Sequence, residues 1–445
     1  MIHPIRSTRR QFLTGTTAAA VGLTLTAALR EKAVAQQSAN SIAVAKPGEI
    51  SVHGSLDEAG WAKVRSHFCL DPKLTFLNNG TLGPSPDAVV KTREYYSELL
   101  AKDPTDSFRM SELKNVRSQL ADFIHGQLDE VSITHSTTEG LNIFAHGLDW
   151  KAGDEVILGD QEHFGAVEAY QTLAQRYGIK LVRVKLPIPA QSVAEVVSAY
   201  AKAFTPRTRV LVVSQVSYVT GLVAPLRELT ELAHSHGALI SVDGAQSFGV
   251  LPLDVVETGI DHFAGAGQKW LLAGTGTGVN FVRKDVQSKL WPLYGYDDPD
   301  FHVAPRYERS GQLGIPAALS IGSALQFQLG IGKKNIEARA RELGRQVREG
   351  AAKIPGTKLL SSSDPVLAAN INVFTLPNLP APQVASLLQK QENIVIRGLV
   401  HDDVKALRIS THFYNTPEQV DRLLGVLAKW SKDPPTFPSE SKHTA

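Results

Sequence analysis

Between residues 155 and 243, short β-rich apolar runs alternate with amphipathic helical stretches. EVILGD precedes VEAYQTLAQRYG, KLVRVKL precedes SVAEVVSAYAKAF, RVLVVSQVS precedes PLRELTELAHSHG, and ALISVDG closes the series. Strands that alternate with helices predict a largely parallel sheet with helices on both faces, which is the α/β class. Gly178 and Gly237 fall where helix C-caps are expected, and Pro225 suits the first turn of a helix.

The N-terminal residues match an export signal. The string TRRQFL, beginning at Thr8, matches the twin-arginine pattern and leads into nineteen uncharged residues, 11–29, with five Thr and two Gly. This length leaves a membrane anchor as the alternative, but the Thr and Gly content makes a weak span. Residues 33–35, Ala-Val-Ala, offer a small-residue cleavage site. We predict export to the periplasm by the twin-arginine machinery, with cleavage and no stable membrane anchor.

Changes in composition divide the rest of the chain. Tyr, Pro and Asp accumulate around residues 294–305, and two long helical patterns follow at about 316–329 and 335–353. An αβ segment comes after them, so we predict a large α/β domain and a smaller α+β domain that the early residues join. The predicted parts are a signal peptide (1–35), a polar linker (36–55), an N-terminal segment of the small domain (56–89), the large domain (90–295), the small domain (296–433) and a disordered tail (434–445).

Composition and charge narrow the function classes. With 445 residues, 43% hydrophobic and 20% charged, the chain has the length of two to three domains and the composition of a soluble globular protein. A formal net charge of +2 without a long basic block gives no case for nucleic acid as a partner. The single cysteine, Cys69, excludes intrachain disulfides and a Cys-rich metal site, and we predict no metal site.

A lysine and an aspartate carry the candidate chemistry. Asp243 ends the hydrophobic run ALISVDG, and Lys269 lies 26 residues later in GQKWLL. A lysine amine forms a Schiff base with the aldehyde of pyridoxal phosphate, and a carboxylate keeps the pyridine nitrogen of that cofactor protonated. Alone, the lysine is more often a solvated surface group and the aspartate a cap, so the neighbouring motifs decide.

Two further segments suit a phosphorylated cofactor. HSTTEG, which contains Thr137 and Thr138, precedes an apolar-periodic stretch, so its hydroxyls and amides would cluster at a helix N-terminus and bind phosphate. A simple capping box is the alternative for this segment. His163, in GDQEHFGAV, is a candidate for stacking on the cofactor ring, although an isolated loop histidine is more often just exposed.

Together these segments resemble the class V aminotransferase family of fold type I, which includes isopenicillin N epimerase-like proteins and cysteine desulfurases. The resemblance runs from about Leu74 to about Lys429 and rests on motifs in family order: TFLNNGTLGPSP, STTEGLN, QEHFGAV, SQVSYVTGLVAPL, SVDGAQSFG, GQKWLLAGTGTGVNFVR, RYERSGQLGIPAALSIGSAL and LRISTHFYNTPEQVDRL. It implies a large domain with a mainly parallel seven-stranded sheet flanked by helices, a smaller α+β domain, and pyridoxal 5′-phosphate as cofactor.

The resemblance also implies roles for individual residues. Lys269 is implied as the lysine that binds the cofactor, Asp243 as the partner of the pyridine nitrogen, and His163 as the stacking ring. Gln246 is implied near the ring hydroxyl, and Thr137 and Thr138 at the phosphate. Arg408 matches the arginine that grips the substrate α-carboxylate, for which a planar guanidinium is well suited, and Arg397 is the second candidate.

Four positions depart from the family pattern. Gln268 stands where the family often has His before the lysine, and Ala266 stands where a hydroxyl or amide residue is common. Gly311-Gln312 replaces the Gly-Thr that reaches the phosphate of a neighbouring subunit, and the resemblance still implies a homodimer there. Tyr218 replaces an Asn, and its phenol is expected to contact the ring oxygen.

From the resemblance we expect an exported enzyme that acts on the amino-bearing carbon of an amino acid or peptide. We favour transamination or a related oxidative change of the amine that tailors a secreted peptide. Epimerisation and β-elimination are the enzymatic alternatives, and a periplasmic ligand-binding protein is the non-enzymatic one. The segment GLVHDDVKALR contains no cysteine, which argues against the persulfide chemistry of a cysteine desulfurase.

Overall fold

The computed structural model describes residues 54–105, 108–294 and 304–437. The predicted signal peptide, nearly all of the predicted linker and residues 438–445 of the predicted tail lie outside the described residues. The predicted domain boundaries at residues 89, 295 and 433 remain predictions.

A seven-stranded mixed sheet forms the centre of the fold. Its strands are β2 (Val131–Thr134), β3 (Glu155–Gly159), β4 (Lys180–Val184), β5 (Thr208–Ser214), β6 (Leu239–Asp243), β7 (His262–Ala266) and β8 (Gly278–Val282). The spatial order is β2-β8-β7-β6-β5-β3-β4. Strands β3 to β7 run parallel to their neighbours, and only β8 is antiparallel to β7 and β2. The predicted α/β fold type I architecture, with its mainly parallel seven-stranded sheet, is confirmed.

Alternate residues of the central strands pack on opposite faces of this sheet. In β5, Leu211 and Val213 belong to one hydrophobic cluster, whereas Val210 and Val212 belong to another. Helices cover both clusters because a parallel strand pair needs a crossover that packs back onto the sheet. The helices of this half of the chain are α1 (Glu58–Arg65), α2 (Asp87–Lys102), α3 (Arg109–Ile124), α4 (Thr137–Gly147), α5 (Phe164–Tyr177), α6 (Val193–Ala201), α7 (Leu226–Ser235), α8 (Val255–Thr258) and α9 (Lys284–Gln287).

The predicted helix ends agree with the structure to within a residue. Gly178 is the C-cap of α5 in a left-handed conformation, with φ 72°. Gly237, with φ 71°, lies one position beyond the C-cap of α7, and Pro225 directly precedes the first residue of α7. A residue without a Cβ is favoured at both glycines because positive φ values cost other residues steric energy.

A second, antiparallel sheet lies in the C-terminal third. Strands β9 (Lys358–Leu359), β10 (Ile371–Thr375), β12 (Arg397–His401) and β13 (Val404–Ser410) form it in the order β12-β13-β10-β9. Strand β1 (Thr75–Phe76) pairs separately with β11 (Ile394–Val395), which ties the early residues to this part of the chain. The helices here are α10 (Ile315–Ile331), α11 (Lys333–Ala352), α12 (Ala381–Glu392) and α13 (Pro417–Lys432).

Helices α10 and α11 occupy the positions where two long helical patterns were predicted. Within the described ranges, no single helix is both long and apolar enough to cross a membrane; α10 and α11 together pass the length and composition test, with a bend of 78° between them.

Candidate active site

Asp243 is the last residue of β6, the central strand of the large sheet, at the carboxyl edge where open α/β sheets bind ligands. The side chain is buried, and its Oδ1 accepts a hydrogen bond of 2.8 Å from the Ala245 amide. Burial raises the pKa of the Asp243 carboxyl, while the Ala245 amide and the charge of Lys269 lower it. A buried carboxylate in this state favours a positively charged partner close by.

Lys269 lies one strand away, on a π-helical turn, Gly267–Leu271, that directly follows β7. Burial lowers the pKa of its amine, Asp243 raises it and Arg408 lowers it further. The turn is held in place by the loop after β1, because Asn79 Nδ2 donates to the Lys269 carbonyl (3.2 Å) and the Gly83 amide donates to the Gln268 carbonyl (2.9 Å). The structure therefore brings the predicted lysine and aspartate into one electrostatically coupled pair.

The first turn of α4 presents polar groups that its own backbone does not use. Ser136 caps this helix by accepting a hydrogen bond of 3.1 Å from the Glu139 amide. Thr137 is buried, and its Oγ1 has no hydrogen-bond partner in the described part of the chain. Thr138 is exposed at the same helix N-terminus. The helix does have an N-cap, and Ser136 provides it. Thr137, Thr138 and the free amides of the first turn are therefore available to bind an anion.

His163 is the residue immediately before α5. Its Nδ1 accepts a hydrogen bond of 3.1 Å from the Gly165 amide, and its ring meets the Tyr218 ring edge-on with 5.1 Å between centroids. Burial lowers the pKa of His163 to about 4, and the neighbouring Lys269, Arg408 and His401 add smaller effects in the same direction. At neutral pH the imidazole is uncharged, which suits a ring that stacks rather than one that forms an ion pair.

Arg408, on β13, is a buried arginine whose described partners are all uncharged. Its Nη2 lies 3.2 Å from Thr81 Oγ1 and 3.4 Å from Asn78 Oδ1, and its Nη1 lies 3.5 Å from the Tyr218 carbonyl oxygen. Its Nε has no partner among the described residues. Burial and the charge of Arg397 lower the pKa of Arg408 to about 10. Long hydrogen bonds to neutral groups leave the guanidinium free to bind a carboxylate.

Arg397 stands directly opposite Arg408 in the β12–β13 ladder, so both side chains leave the same face of the sheet. It is exposed, unlike Arg408. Two like charges in this position repel each other, and a bound anion would relieve the repulsion.

The three predicted glutamines differ in their hydrogen bonds and in their exposure. Both ends of the Gln246 amide are engaged inside the protein, because Nε2 donates to the Gly80 carbonyl and Oε1 accepts from Trp270 Nε1, each at 2.9 Å. Gln268 precedes Lys269, and its buried Oε1 has no partner within the described ranges. Gln312 is exposed in the loop before α10 and contacts none of the other predicted site residues in the described structure.

Three residues of the site were not predicted from the sequence. Asn78 and Thr81 contact Arg408, and both lie in TFLNNGTLGPSP, a motif that pointed to the family without assigning roles to its residues. The third is His401, whose Nδ1 lies 2.6 Å from the Tyr218 hydroxyl. These two residues are 183 positions apart, and no local pattern links them.

Comparisons with known proteins agree with this geometry. Residues 75–423 match the aminotransferase class V family. The isopenicillin N epimerase of Amycolatopsis lactamdurans is 33% identical over 397 residues, which cover 84% of this chain and 99% of that protein. The isopenicillin N epimerase of Streptomyces clavuligerus is 32% identical, with 83% and 98% covered. A probable cysteine desulfurase of Methanothermobacter thermautotrophicus is 28% identical, with 79% and 92% covered.

Solved structures share the fold. A C-DES mutant with glycine covalently linked to its PLP cofactor superposes with a TM-score of 0.75 at 23% identity, covering 82% of this chain and 98% of that one. A cysteine desulfurase of Escherichia coli gives a TM-score of 0.74 at 25% identity, covering 84% and 98%.

The residues present fit pyridoxal 5′-phosphate. A half-buried lysine and a buried carboxylate lie at and just beyond neighbouring strand ends, and a buried hydroxyl without a partner in the described residues, Thr137 Oγ1, lies at a helix N-terminus. A neutral imidazole, His163, borders the same space. The donor set thus matches an aldehyde, a pyridine nitrogen, a phosphate and an aromatic face.

Proposed function

This chain belongs to the aminotransferase class V family and has pyridoxal 5′-phosphate as its cofactor, and on that premise we propose that it is an exported enzyme that epimerises the α-carbon of an amino acid or peptide substrate. The buried, carboxylate-free Arg408 beside the Lys269–Asp243 pair carries the proposal. It is the feature that an α-amino acid requires, because the α-carboxylate must be held while the α-proton is removed.

Each residue of the site has a separate role in the proposed reaction. Lys269 would hold the cofactor covalently, Asp243 would hold a proton at its ring nitrogen, and Thr137, Thr138 and the first amides of α4 would bind its phosphate. When bound, the cofactor supplies an electron-accepting ring that acidifies the substrate α-proton. Arg408 orients the substrate by its α-carboxylate, and Lys269 Nζ takes the α-proton. Its burial supports this role, because a lysine with a lowered pKa is more often the neutral base that proton transfer needs.

Epimerisation is favoured over transamination by the two isopenicillin N epimerases, which align over nearly their whole length. Transamination, which we favoured from the sequence, is the second possible outcome of the test below. Sulfur transfer is disfavoured in this proposal, although cysteine desulfurases are also relatives. The only cysteine, Cys69, is exposed in the segment between α1 and β1, and the β12–β13 hairpin contains none.

The test is α-proton exchange in deuterium oxide with the purified, cofactor-loaded protein. L- and D-forms of the proteinogenic amino acids and isopenicillin N are incubated separately, and products are resolved by chiral chromatography and mass spectrometry. We expect deuterium at the α-carbon together with inversion. A 2-oxo acid product would replace epimerisation by transamination, sulfide release from L-cysteine would indicate desulfuration, and no reaction with any substrate would contradict the proposal.

Arg408→Ala supplies the matched test of substrate binding. Removing one partner of a buried charge pair costs about 2 to 5 kcal/mol, so kcat/KM should fall roughly 30-fold or more while covalent cofactor binding persists. Arg227→Ala is the control, because this exposed arginine of α7 pairs with Glu231 on its own helix, away from the site. An equal loss in both variants would show that net positive charge, and not Arg408 itself, binds the substrate.

A further inference from the structure

A tyrosine and a histidine form a short hydrogen-bonded chain at the edge of the site. The Tyr218 hydroxyl lies 2.6 Å from His401 Nδ1, and His401 Nε2 lies 2.8 Å from the Asp160 carbonyl oxygen. A carbonyl only accepts hydrogen bonds, so His401 carries its proton on Nε2 and Nδ1 is the acceptor. The phenol therefore donates to His401 at rest, and rotation about its C–O bond frees the same proton for a group bound in the site.

The order of the strands places the Tyr218–His401 pair across the site from Lys269. Lys269 follows β7 and Asp243 ends β6, whereas Tyr218 follows β5 and Asp160 and His163 follow β3. Because the spatial order is β7-β6-β5-β3, Lys269 enters from one side of Asp243 and Tyr218 from the other. Neighbouring strands are about 4.8 Å apart, so the two side chains start from strand ends roughly 10 Å apart.

Two contacts fix Tyr218 in that position. Its carbonyl oxygen lies 3.5 Å from Arg408 Nη1, and its ring packs edge-on against His163. Tyr218 thus touches both the arginine assigned to the substrate carboxylate and the ring assigned to the cofactor face. Burial raises the pKa of the phenol, which keeps it protonated at neutral pH, and the Arg408 charge offsets part of the rise.

We propose that Tyr218 is the second acid–base residue of the reaction, that it exchanges a proton with the α-carbon on the face opposite to Lys269, and that His401 is its positioning residue. This assignment rests on the proposed function. One group on each face gives inversion directly, because a single fixed base returns the proton to the side from which it came.

The protons balance over one turnover. In one direction Lys269 Nζ takes the α-proton and the Tyr218 hydroxyl gives its proton to the opposite face, which leaves an ammonium and a phenolate. In the other direction the phenolate takes the proton and the ammonium gives one. The two enzyme forms have the same net charge, and proton exchange with water interconverts them.

Tyr218→Phe tests the assignment because it keeps the ring and its contact with His163 and removes only the hydroxyl. The cofactor-loaded variant is incubated in deuterium oxide with isopenicillin N and with L-alanine. We expect exchange with retention of configuration to stay within about threefold of the wild type, while inversion falls by about 100-fold or more, the usual contribution of an acid–base group. Tyr170→Phe is the control, since its hydroxyl is buried on α5 near Ser241, outside the site, and its loss should affect neither rate.

A readout independent of turnover tests the Tyr218–His401 hydrogen bond itself. In protein labelled with ¹⁵N-histidine, Tyr218→Phe should shift the His401 Nδ1 resonance, because that nitrogen loses its donor, while the melting temperature changes by no more than a few degrees. His401→Gln should lower inversion less than Tyr218→Phe does.

Three outcomes overturn the assignment. A Tyr218→Phe variant that inverts as fast as it exchanges shows that the hydroxyl takes no part. An equal loss of exchange and inversion shows that the Tyr218–His401 contact only holds the site together. A wild type that exchanges nothing with either substrate removes the proposed function, and this assignment with it.

Discussion

At Asp243 and Lys269, burial drives each side chain toward its neutral form, while each charge stabilises the other. The Asp243 pKa is raised by burial and lowered by Lys269, and the Lys269 pKa is lowered by burial and raised by Asp243. In the described part of the chain, each is the one oppositely charged group that shifts the pKa of the other. The pKa values of two buried groups that stabilise each other's charge change strongly when a cofactor ring nitrogen takes the place of one of them.

Asp243→Asn should leave the cofactor bound and the enzyme nearly inactive. The amide matches the carboxylate in shape but cannot hold a proton at the ring nitrogen, so we expect kcat/KM to fall by at least about 100-fold. Borohydride reduction followed by peptide mass spectrometry should still fix the cofactor to Lys269. Lys269→Ala, in contrast, should lose both covalent attachment and exchange. Full activity of Asp243→Asn would remove the assigned role.

Glu162 is a buried acid next to His163 that the sequence did not single out. Its Oε2 accepts a hydrogen bond of 2.5 Å from Ser214 Oγ. Burial, together with the charge of Asp243, raises the pKa of Glu162 to about 8. The folded state therefore keeps a proton that the unfolded chain, with an ordinary glutamate pKa near 4.5, releases.

This difference predicts a loss of stability as the pH rises from about 4.5 to about 8. The contribution of protonated Glu162 is complete below about pH 4.5 and disappears as the pH rises toward 8, because only the folded state binds the proton in this range. Glu162→Gln keeps a neutral group, so its melting temperature relative to wild type should rise between pH 5 and pH 8. Scanning calorimetry at these two values is the measurement, with the exposed Glu168→Gln as control. Parallel profiles for wild type and Glu162→Gln would refute the expected pKa.

At the scale of elements, the position of Lys269 depends on a loop from the other end of the chain. The turn Gly267–Leu271 accepts hydrogen bonds from Asn79 and Gly83, which follow β1. The backbone approaches so closely at Gly83 that a Cβ built there would lie 2.2 Å from the Lys269 carbonyl oxygen. A side chain at this position has to displace either the loop or the turn.

Gly83→Ala should therefore weaken the site as well as the fold. Forcing a methyl group into a filled space costs about 1 to 3 kcal/mol, and here the displaced backbone carries Lys269. We expect a lower melting temperature and slower covalent cofactor binding, followed by calorimetry and by visible absorbance. Gly425→Ala is the opposite control, because Gly425 is exposed in α13 with no atom near its Cβ position. That variant should gain up to about 1 kcal/mol in stability.

At the scale of the whole molecule, we propose that two copies complete each other's sites. Gly311, with φ 97°, and Gln312 are exposed before α10, and the family resemblance implies that this segment reaches a neighbour's phosphate site. Light scattering should give twice the mass of one chain, and Gln312→Ala should weaken phosphate binding without changing that mass. A monomer that binds the cofactor fully would contradict the proposal. Such an interface is expected to be isologous and apolar.

Export is the second proposal at this scale. The Arg9-Arg10 pair precedes an uncharged stretch and a small-residue cleavage site, and the twin-arginine route carries folded proteins, so a cytoplasmic cofactor can be inserted first. Replacing both arginines by lysine should leave the precursor in the cytoplasm, whereas the native chain should yield a periplasmic protein that begins near Gln36. Cell fractionation and N-terminal sequencing measure this. Normal export of the double variant would remove the twin-arginine argument.

Local patterns along the chain were enough to predict the sheet, and the family resemblance added the cofactor and the Lys269–Asp243 pair. Apolar runs of strand length alternating with amphipathic stretches are local patterns, and they predicted the strand that ends at Asp243. The carboxyl ends of parallel strands meet at one edge, so Asp243 could be placed at that edge without coordinates, whereas the role of Lys269 came from its motif. The cap of α4 by Ser136 is equally local, since its bond to Glu139 spans three residues.

The tertiary structure alone decided the contacts between distant segments. The Tyr218 hydroxyl bonds to His401, 183 positions away, and the Gln246 amide bonds to Gly80 and Trp270. Arg397 faces Arg408 because of the register of β12 and β13, and a slip of one residue would turn Arg397 to the other face. Such contacts depend on how two sheets dock and on strand register, and these arise from the packing of the whole core. Hydrophobic periodicity specifies which face of an element is buried, but not which polar group it meets there.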